Sequence, residues 1–225
     1  MTRSTGTRSA QREHTRQVLL RESRRLFATL GYGEVGLAEI VRAAGVTKGA
    51  LYHHFDGKAD LFRTVLEQVQ QEVGEQVARA AEAEADPWDQ LTAGCQAFLT
   101  ASTDPDIQQI MLIDGPAVLG WRAWRALDEA ASARHLAEQL TVLIDQGVIE
   151  PQPVAPLTHL LSGAMNEAAL WLAASKTTTG PTEPADAAKP AKPAGPAKPA
   201  GPAEPTDLAD TQRALSRMLR SLRAE

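Results

Sequence analysis

Apolar residues recur along most of this chain at the spacing of helices. Between Gly31 and Phe62 the pattern is sharpest: Leu37, Ile40, Val41 and Ala44 fall at i, i+3, i+4 and i+7, on one face of a short helix. Gly45 follows the last of them, where a left-handed C-terminal position costs glycine least, and Val46 is an apolar residue set in the turn. Thr47 is placed to cap a second helix. In that helix Leu51 and Phe55 point back at the first, leaving Lys48, Gly49, Tyr52 and His53 on the outer side. Two short helices joined by a tight turn, with a basic and hydrogen-bonding outer face on the second, predict a helix-turn-helix whose second helix fits a DNA major groove.

Longer periodic stretches flank this unit. Leu19, Leu20, Ser23, Leu26, Phe27 and Leu30 form one stripe, which predicts a helix over 11–29 ended by Gly31. Residues 1–10 are polar and without periodicity, and read as a mobile arm in which Arg3 and Arg8 are the basic groups. Such an arm is either an inert terminus or a contact to phosphates or the minor groove. From about Gly57 a helix carrying Leu61, Phe62, Val65, Leu66, Val69 and Val73 runs on to near Ala85, with Lys58 in its first turn. Free N–H groups and the positive helix end attract a phosphate there.

Asp86-Pro87 and Asp104-Pro105 each set a capping carboxylate before a proline suited to the first helical position, so each predicts a helix start. Asp114-Gly115-Pro116 reads as a break that opens one long helix through Val118, Trp121, Trp124, Leu127, Leu136, Leu140 and Leu143, ended by Gly147 and Pro151. Another helix is expected over 153–175. Residues 176–205 then lack Leu, Ile, Val and aromatics and carry AKP, AGP and AEP triplets, a composition that predicts a disordered linker biased to polyproline II. After it Thr206 is placed to cap a last helix with Leu208, Leu215, Met218, Leu219 and Leu222 on one face.

Charge sharpens this division. The net charge is −5, yet residues 1–63 hold 11 Lys or Arg against 6 Asp or Glu, so the basic end is the one suited to nucleic acid. The single cysteine, Cys95, excludes an intramolecular disulfide framework. With no charged-then-apolar leader and no apolar run near the roughly 18 residues of a membrane span, the expected location is cytoplasmic and off the membrane.

The run AGVTKGALYHHFDGKADLF, with LFATLGYG before it, closely resembles the DNA-binding domain of the tetracycline-repressor (TetR) family over residues 12–66. The resemblance implies an all-α fold, with an N-terminal three-helix helix-turn-helix DNA-binding domain and a C-terminal helical ligand-binding and dimerisation domain. The expected division is an arm over 1–10, the DNA-binding domain over 11–63, the larger domain over 64–175, the linker over 176–205 and a completing helix over 206–225. By the same resemblance Thr47, Lys48, Gly49, Tyr52, His53 and Lys58 match positions that contact DNA. Where a hydroxyl residue commonly caps the first short helix, this chain has Val35 and Gly36, so a backbone N–H at Gly36 replaces that side-chain contact. Val41 likewise stands where the family commonly has a smaller alanine.

In the second domain Trp121 and Arg125 are spaced for a cation–π contact, Asn166, Glu167 and Trp171 lie among apolar neighbours, and Cys95 is a small hydrophobe or a thiol sensor. These six are the expected ligand-binding residues. No metal site, cofactor or catalytic constellation is expected: His53 and His54 are adjacent and share no helix face, and His14, His135 and His159 stand alone. The leading expectation is a repressor that binds a near-palindromic double-stranded operator as a homodimer and is released by a small-molecule inducer. The competing one is a DNA-binding scaffold switched by a protein partner.

Overall fold

The computed structural model describes residues 4–177 and 207–224, and among these every regular element is a helix. The first, α1 (Ser4–Glu34), begins seven residues ahead of the expected start. Residues 4–10 contain no proline, so the packed helix continues outward through residues expected to form an arm. It bends at Gly31, whose φ of 79° and ψ of 156° are not helical. Leu19, Leu20, Leu26 and Phe27 are buried, but Leu30 departs from the expected stripe and is 46% exposed. Beyond the bend the Tyr32 ring takes the place against Phe27 and Phe62 instead, with centroids 5.7 and 5.0 Å away.

Two short helices follow, α2 (Leu37–Ala43) and α3 (Lys48–Tyr52). Their joint is a Schellman turn: Val46 N–H donates to the Val41 carbonyl at 3.0 Å and Gly45 N–H to that of Arg42 at 3.2 Å. Gly45 sits at φ 65°, the left-handed conformation this turn requires and glycine adopts freely. Val41 and Val46 are both partly buried against the core, so the larger side chain at position 41 is accommodated as the apolar partner of the turn.

The helix α4 (Lys58–Glu82) carries the continuous apolar stripe from Leu61 to Val77 and packs against both α1 and α5 (Pro87–Ala101). The Asp86 carboxylate caps α5 through Trp88 N at 2.8 Å, and Asp104 does the same for the short α6 (Pro105–Ile107) through Asp106 N at 2.8 Å.

Past α6 the structure departs from the expected break. The chain runs without interruption through a π-helical segment (Gln108–Asp114) into α7 (Gly115–Leu119). Asp114 caps nothing locally. Its carboxylate instead accepts the Tyr32 N–H at 2.7 Å. The single long helix expected next is three helices, α7, α8 (Trp121–Ala130) and α9 (Ser132–Asp145), broken at Gly120 (φ 77°) and Ala131 (φ −113°, ψ −109°). The cause is tertiary. Trp124 is buried, and its indole N–H donates to the Met111 carbonyl at 2.7 Å. A Cβ built on Gly115 would lie 2.8 Å from Trp124 Cδ1, so this close approach needs glycine.

The remaining helices are α10 (Val154–Thr177) and α11 (Asp207–Arg220). Since α10 reaches Thr177, the first two residues of the expected linker are helical, and the rest of it lies outside the described residues. The helix α11 packs on α5 of its own chain: Leu215 and Leu219 are buried, Gln212 donates to Thr100 Oγ1 at 3.0 Å, and the Arg223 guanidinium lies 4.9 Å over the Trp88 ring. Ala224 N–H then bonds the Val148 carbonyl at 3.0 Å, tying the end of the chain to the loop after α9.

Candidate nucleic-acid interface

The outward face of α3 is set by its cap and its anchors. Thr47 Oγ1 accepts from Ala50 N at 3.1 Å, which satisfies one of the free N–H groups of the first turn and fixes the direction in which the helix leaves. Leu51 and Phe55 are buried beneath. Thr47, Lys48, Gly49, Tyr52 and His53 are consequently exposed together. Nothing but Thr47 Oγ1, at 3.9 Å, lies near a Cβ built on Gly49, so the backbone there is open to close approach by another molecule. Lys48 Nζ stands 5.9 Å from the centroid of the Tyr52 ring, which is 50% exposed.

Neighbouring elements extend the face. Gly36 is the N-cap of α2, exposed and without a side-chain cap, and its carbonyl accepts from Glu39 N and Ile40 N. Lys58 opens α4, and its Nζ lies 4.0 Å over the Tyr32 ring, a cation–π contact that fixes the ammonium on a side chain of the first turn of that helix. On the other side α1 supplies Arg12, whose guanidinium reaches the His53 carbonyl at 3.5 Å. His54, by contrast, is half-buried. Its imidazole is held below its ordinary pKa by burial, then by the charges of Arg12 and Arg16. Among the described residues no three His, Cys, Asp or Glu side chains are grouped to hold a metal. Arg12 lies off the apolar stripe of α1 near its start, where the sequence leaves an arginine either on a solvated face or within reach of phosphates flanking the groove.

The second feature of the chain is a cavity of about 200 Å3, open on one side, between α4, α5, α8, α9 and α10. Val77, Leu91, Phe98, Leu136 and Met165 supply apolar wall, with Cys95 among them. Burial pushes the Cys95 thiol up to about 12, so it is a thiol and not a thiolate. One side of the wall is polar and buried: Asp128, Ser132 and Ser162. The Asp128 Oδ2 atom accepts from Arg125 NH1 at 2.6 Å and from Ser162 Oγ at 3.2 Å. Burial raises the Asp128 pKa, and the Arg125 charge opposes that rise.

The expected ligand residues divide around this cavity. Cys95 lines it, and Arg125 and Asn166 stand behind it on the far side of Asp128. Trp121, Glu167 and Trp171 lie outside the wall, with Trp121 65% and Trp171 47% exposed. The expected Trp121–Arg125 cation–π contact does not form. Arg125 turns to Asp128, Ser162 and His159, and Trp121 packs on Trp124 with centroids 5.0 Å apart. A guanidinium beside a buried carboxylate is held more strongly than one over an exposed ring.

Comparison with known proteins places these features in context. Residues 19–65 match the family described as "Bacterial regulatory proteins, tetR family", and residues 88–188 match "Tetracyclin repressor-like, C-terminal domain". The chain is 44% identical over 63 residues to the HTH-type transcriptional regulator AcrR of Shigella flexneri, a match that takes in 28% of this chain and only 29% of that regulator. A solved TetR-family transcriptional regulator from Pectobacterium atrosepticum is 30% identical with a TM-score of 0.70, covering 96% of this chain and 97% of its own. FadR from Bacillus subtilis, solved in complex with stearoyl-CoA, shares the fold at 14% identity and a TM-score of 0.65, covering 90% of this chain and 96% of its own.

Proposed function

Because this chain belongs to the tetR family of bacterial regulatory proteins and is a DNA-binding transcriptional regulator, we propose that it acts as a homodimeric repressor whose hold on a near-palindromic operator is released by a small molecule bound in its C-terminal domain. The observation that carries the DNA-facing part is the capped α3 helix, with Lys48, Gly49, Tyr52 and His53 exposed over a base of buried Leu51 and Phe55. Lys48 reaches base edges or phosphate, Tyr52 and His53 hydrogen-bond the backbone, Gly49 allows close approach, and Gly36 and Lys58 meet flanking phosphates.

The mostly apolar cavity, away from α2 and α3, supports a small-molecule effector over a scaffold switched only by a protein partner. For the dimer, α10 leaves Leu160 72% exposed beside the small residues Gly163 and Ala164, and α11 leaves Met218 42% exposed, which supports an interface built from these two helices of each protomer. The two recognition helices then meet successive major-groove segments about one helical turn, roughly 34 to 36 Å, apart.

Fluorescence anisotropy on double-stranded DNA selected from a random pool tests this reading. Lys48→Ala and Tyr52→Phe are expected to weaken binding by about tenfold or more, with sedimentation velocity showing an unchanged dimer. Unaltered affinity in both variants would remove α3 from the interface.

A further inference from the structure

The cavity between α4, α5, α8, α9 and α10 carries enough chemistry to name a class of ligand, and this rests on the reading that it is the effector site. We infer that it takes a single-ring, largely apolar molecule that bears one O–H or N–H donor and no acidic group, with the donor bonded to Asp128.

Size sets the first limit. A dry apolar cavity of about 150 Å3 accepts benzene. At about 200 Å3 the interior of this one is filled by one ring and a short substituent. The wall sets the second. Phe98, Leu91, Leu136 and Met165 come from three helices and offer aromatic, branched and thioether surface to a ring face.

Charge sets the third limit. The residues lining the cavity include three carboxylates, Glu82, Asp128 and Glu138, no Lys or Arg, and one histidine, His135, whose Nδ1 lies 3.6 Å from the Glu138 carboxylate. Of the three, Asp128 is buried while Glu82 and Glu138 are exposed at the wall's outer edge. Arg125 and Ser162 both bond its Oδ2 atom. The Asn166 side chain also interacts with this carboxylate, whose remaining accepting capacity is open to a bound molecule, and Ser132 and Ser162 stand beside it in the wall. An anionic ligand would set a further carboxylate against those of the wall, and the nearby basic groups are already engaged, Arg125 by Asp128 and Glu129 and His135 by Glu138. A donor-free ring would displace water from Asp128 without replacing the hydrogen bond it made.

The test uses the full chain and four probes of nearly equal size: phenol, benzylamine, toluene and benzoate. Binding is read by isothermal titration calorimetry and by the rise in Tm. Phenol and benzylamine are expected to bind, toluene roughly tenfold or more weakly, the scale of one hydrogen bond to a charged acceptor, and benzoate not measurably. Ala81→Leu, which adds bulk to the wall from the partly exposed face of α4, should abolish binding while far-ultraviolet circular dichroism stays unchanged. Benzoate binding as well as phenol, toluene matching phenol, or binding that survives Ala81→Leu would overturn the assignment. Operator release is scored separately on selected DNA. A probe that binds as expected without releasing DNA leaves the ligand class standing and refutes the effector reading, whereas release by benzoate alone does the reverse.

Discussion

The backbone N–H of Tyr32 and the carboxylate of Asp114 meet at 2.7 Å although 82 residues separate them, joining the end of the first helix to the π-helical segment of the C-terminal domain. The bend at Gly31 frees the Tyr32 N–H from the helical ladder, and Asp114 is the group that satisfies it. Asp114→Ala is therefore expected to destabilise the fold by about 1–3 kcal/mol, the cost of leaving a partly buried donor without a partner, with Asp114→Asn milder because its amide oxygen still accepts. Urea unfolding with a fixed m-value measures the difference, and equal stability of Asp114→Ala and the parent chain would contradict it.

Lys58 is held over the Tyr32 ring at the start of α4, and its contribution to DNA binding should be electrostatic. The logarithm of the binding constant is expected to fall linearly with the logarithm of salt concentration, and Lys58→Ala should flatten that slope by about one unit per protomer. Anisotropy titrations at four salt concentrations decide it. A variant with the parent slope would place Lys58 off the phosphates.

Cys95 is 4% exposed and its thiol is pushed up to about 12 by burial. Below pH 9 it should react with a disulfide reagent too bulky for the cavity only through opening of the structure, so its modification rate should rise with urea in step with unfolding. Fast stoichiometric modification of the folded chain at pH 7 would show an open path and revive the thiol sensor.

The raised pKa of Asp128 has a signed consequence for stability. Burial favours its protonated form in the folded chain, so the native state binds more protons than the unfolded one between an unfolded carboxylate value of about 4 and the higher native value. Stability from this group is full below that window and is lost as pH rises through it. The parent chain should lose stability across this range relative to Asp128→Asn, whose side chain does not titrate. The readout is the slope of unfolding free energy against pH, since the absolute values also carry the loss of the partner of Arg125. Parallel slopes would refute the expectation.

What could be read from the sequence was what local chemistry decides. Gly45 and Thr47 mark the turn and the cap within a few residues of the helices they govern, and Asp86 and Asp104 start α5 and α6 as their prolines suggest. The long helix expected through Val118, Trp121, Trp124 and Leu127 was not resolved into pieces. Its stripe continues across Gly120, and what breaks it is the bond from Trp124 to Met111 and the room that Gly115 leaves for that ring. Arg125 misled for a similar reason: an aromatic residue four positions away is visible in the sequence, whereas the buried serine thirty-seven residues on is not. The cavity left almost no local trace, since five helices supply its wall. Its one legible sign is Asp128, an acidic residue one turn after Trp124 on a face that is otherwise apolar.

A π-helix closes each turn with one residue more than an α-helix, so Gln108–Asp114 holds a spare residue between the two bonds that anchor it, Met111 to Trp124 and Asp114 to Tyr32. Rewinding it as α-helix would rotate whatever follows by about 100°, the angle of one residue in a helix of 3.6 per turn. No intermediate rotation keeps a complete set of backbone bonds. Any change of this joint between the DNA-facing helices and the cavity that kept its backbone bonds would therefore come in whole-residue steps.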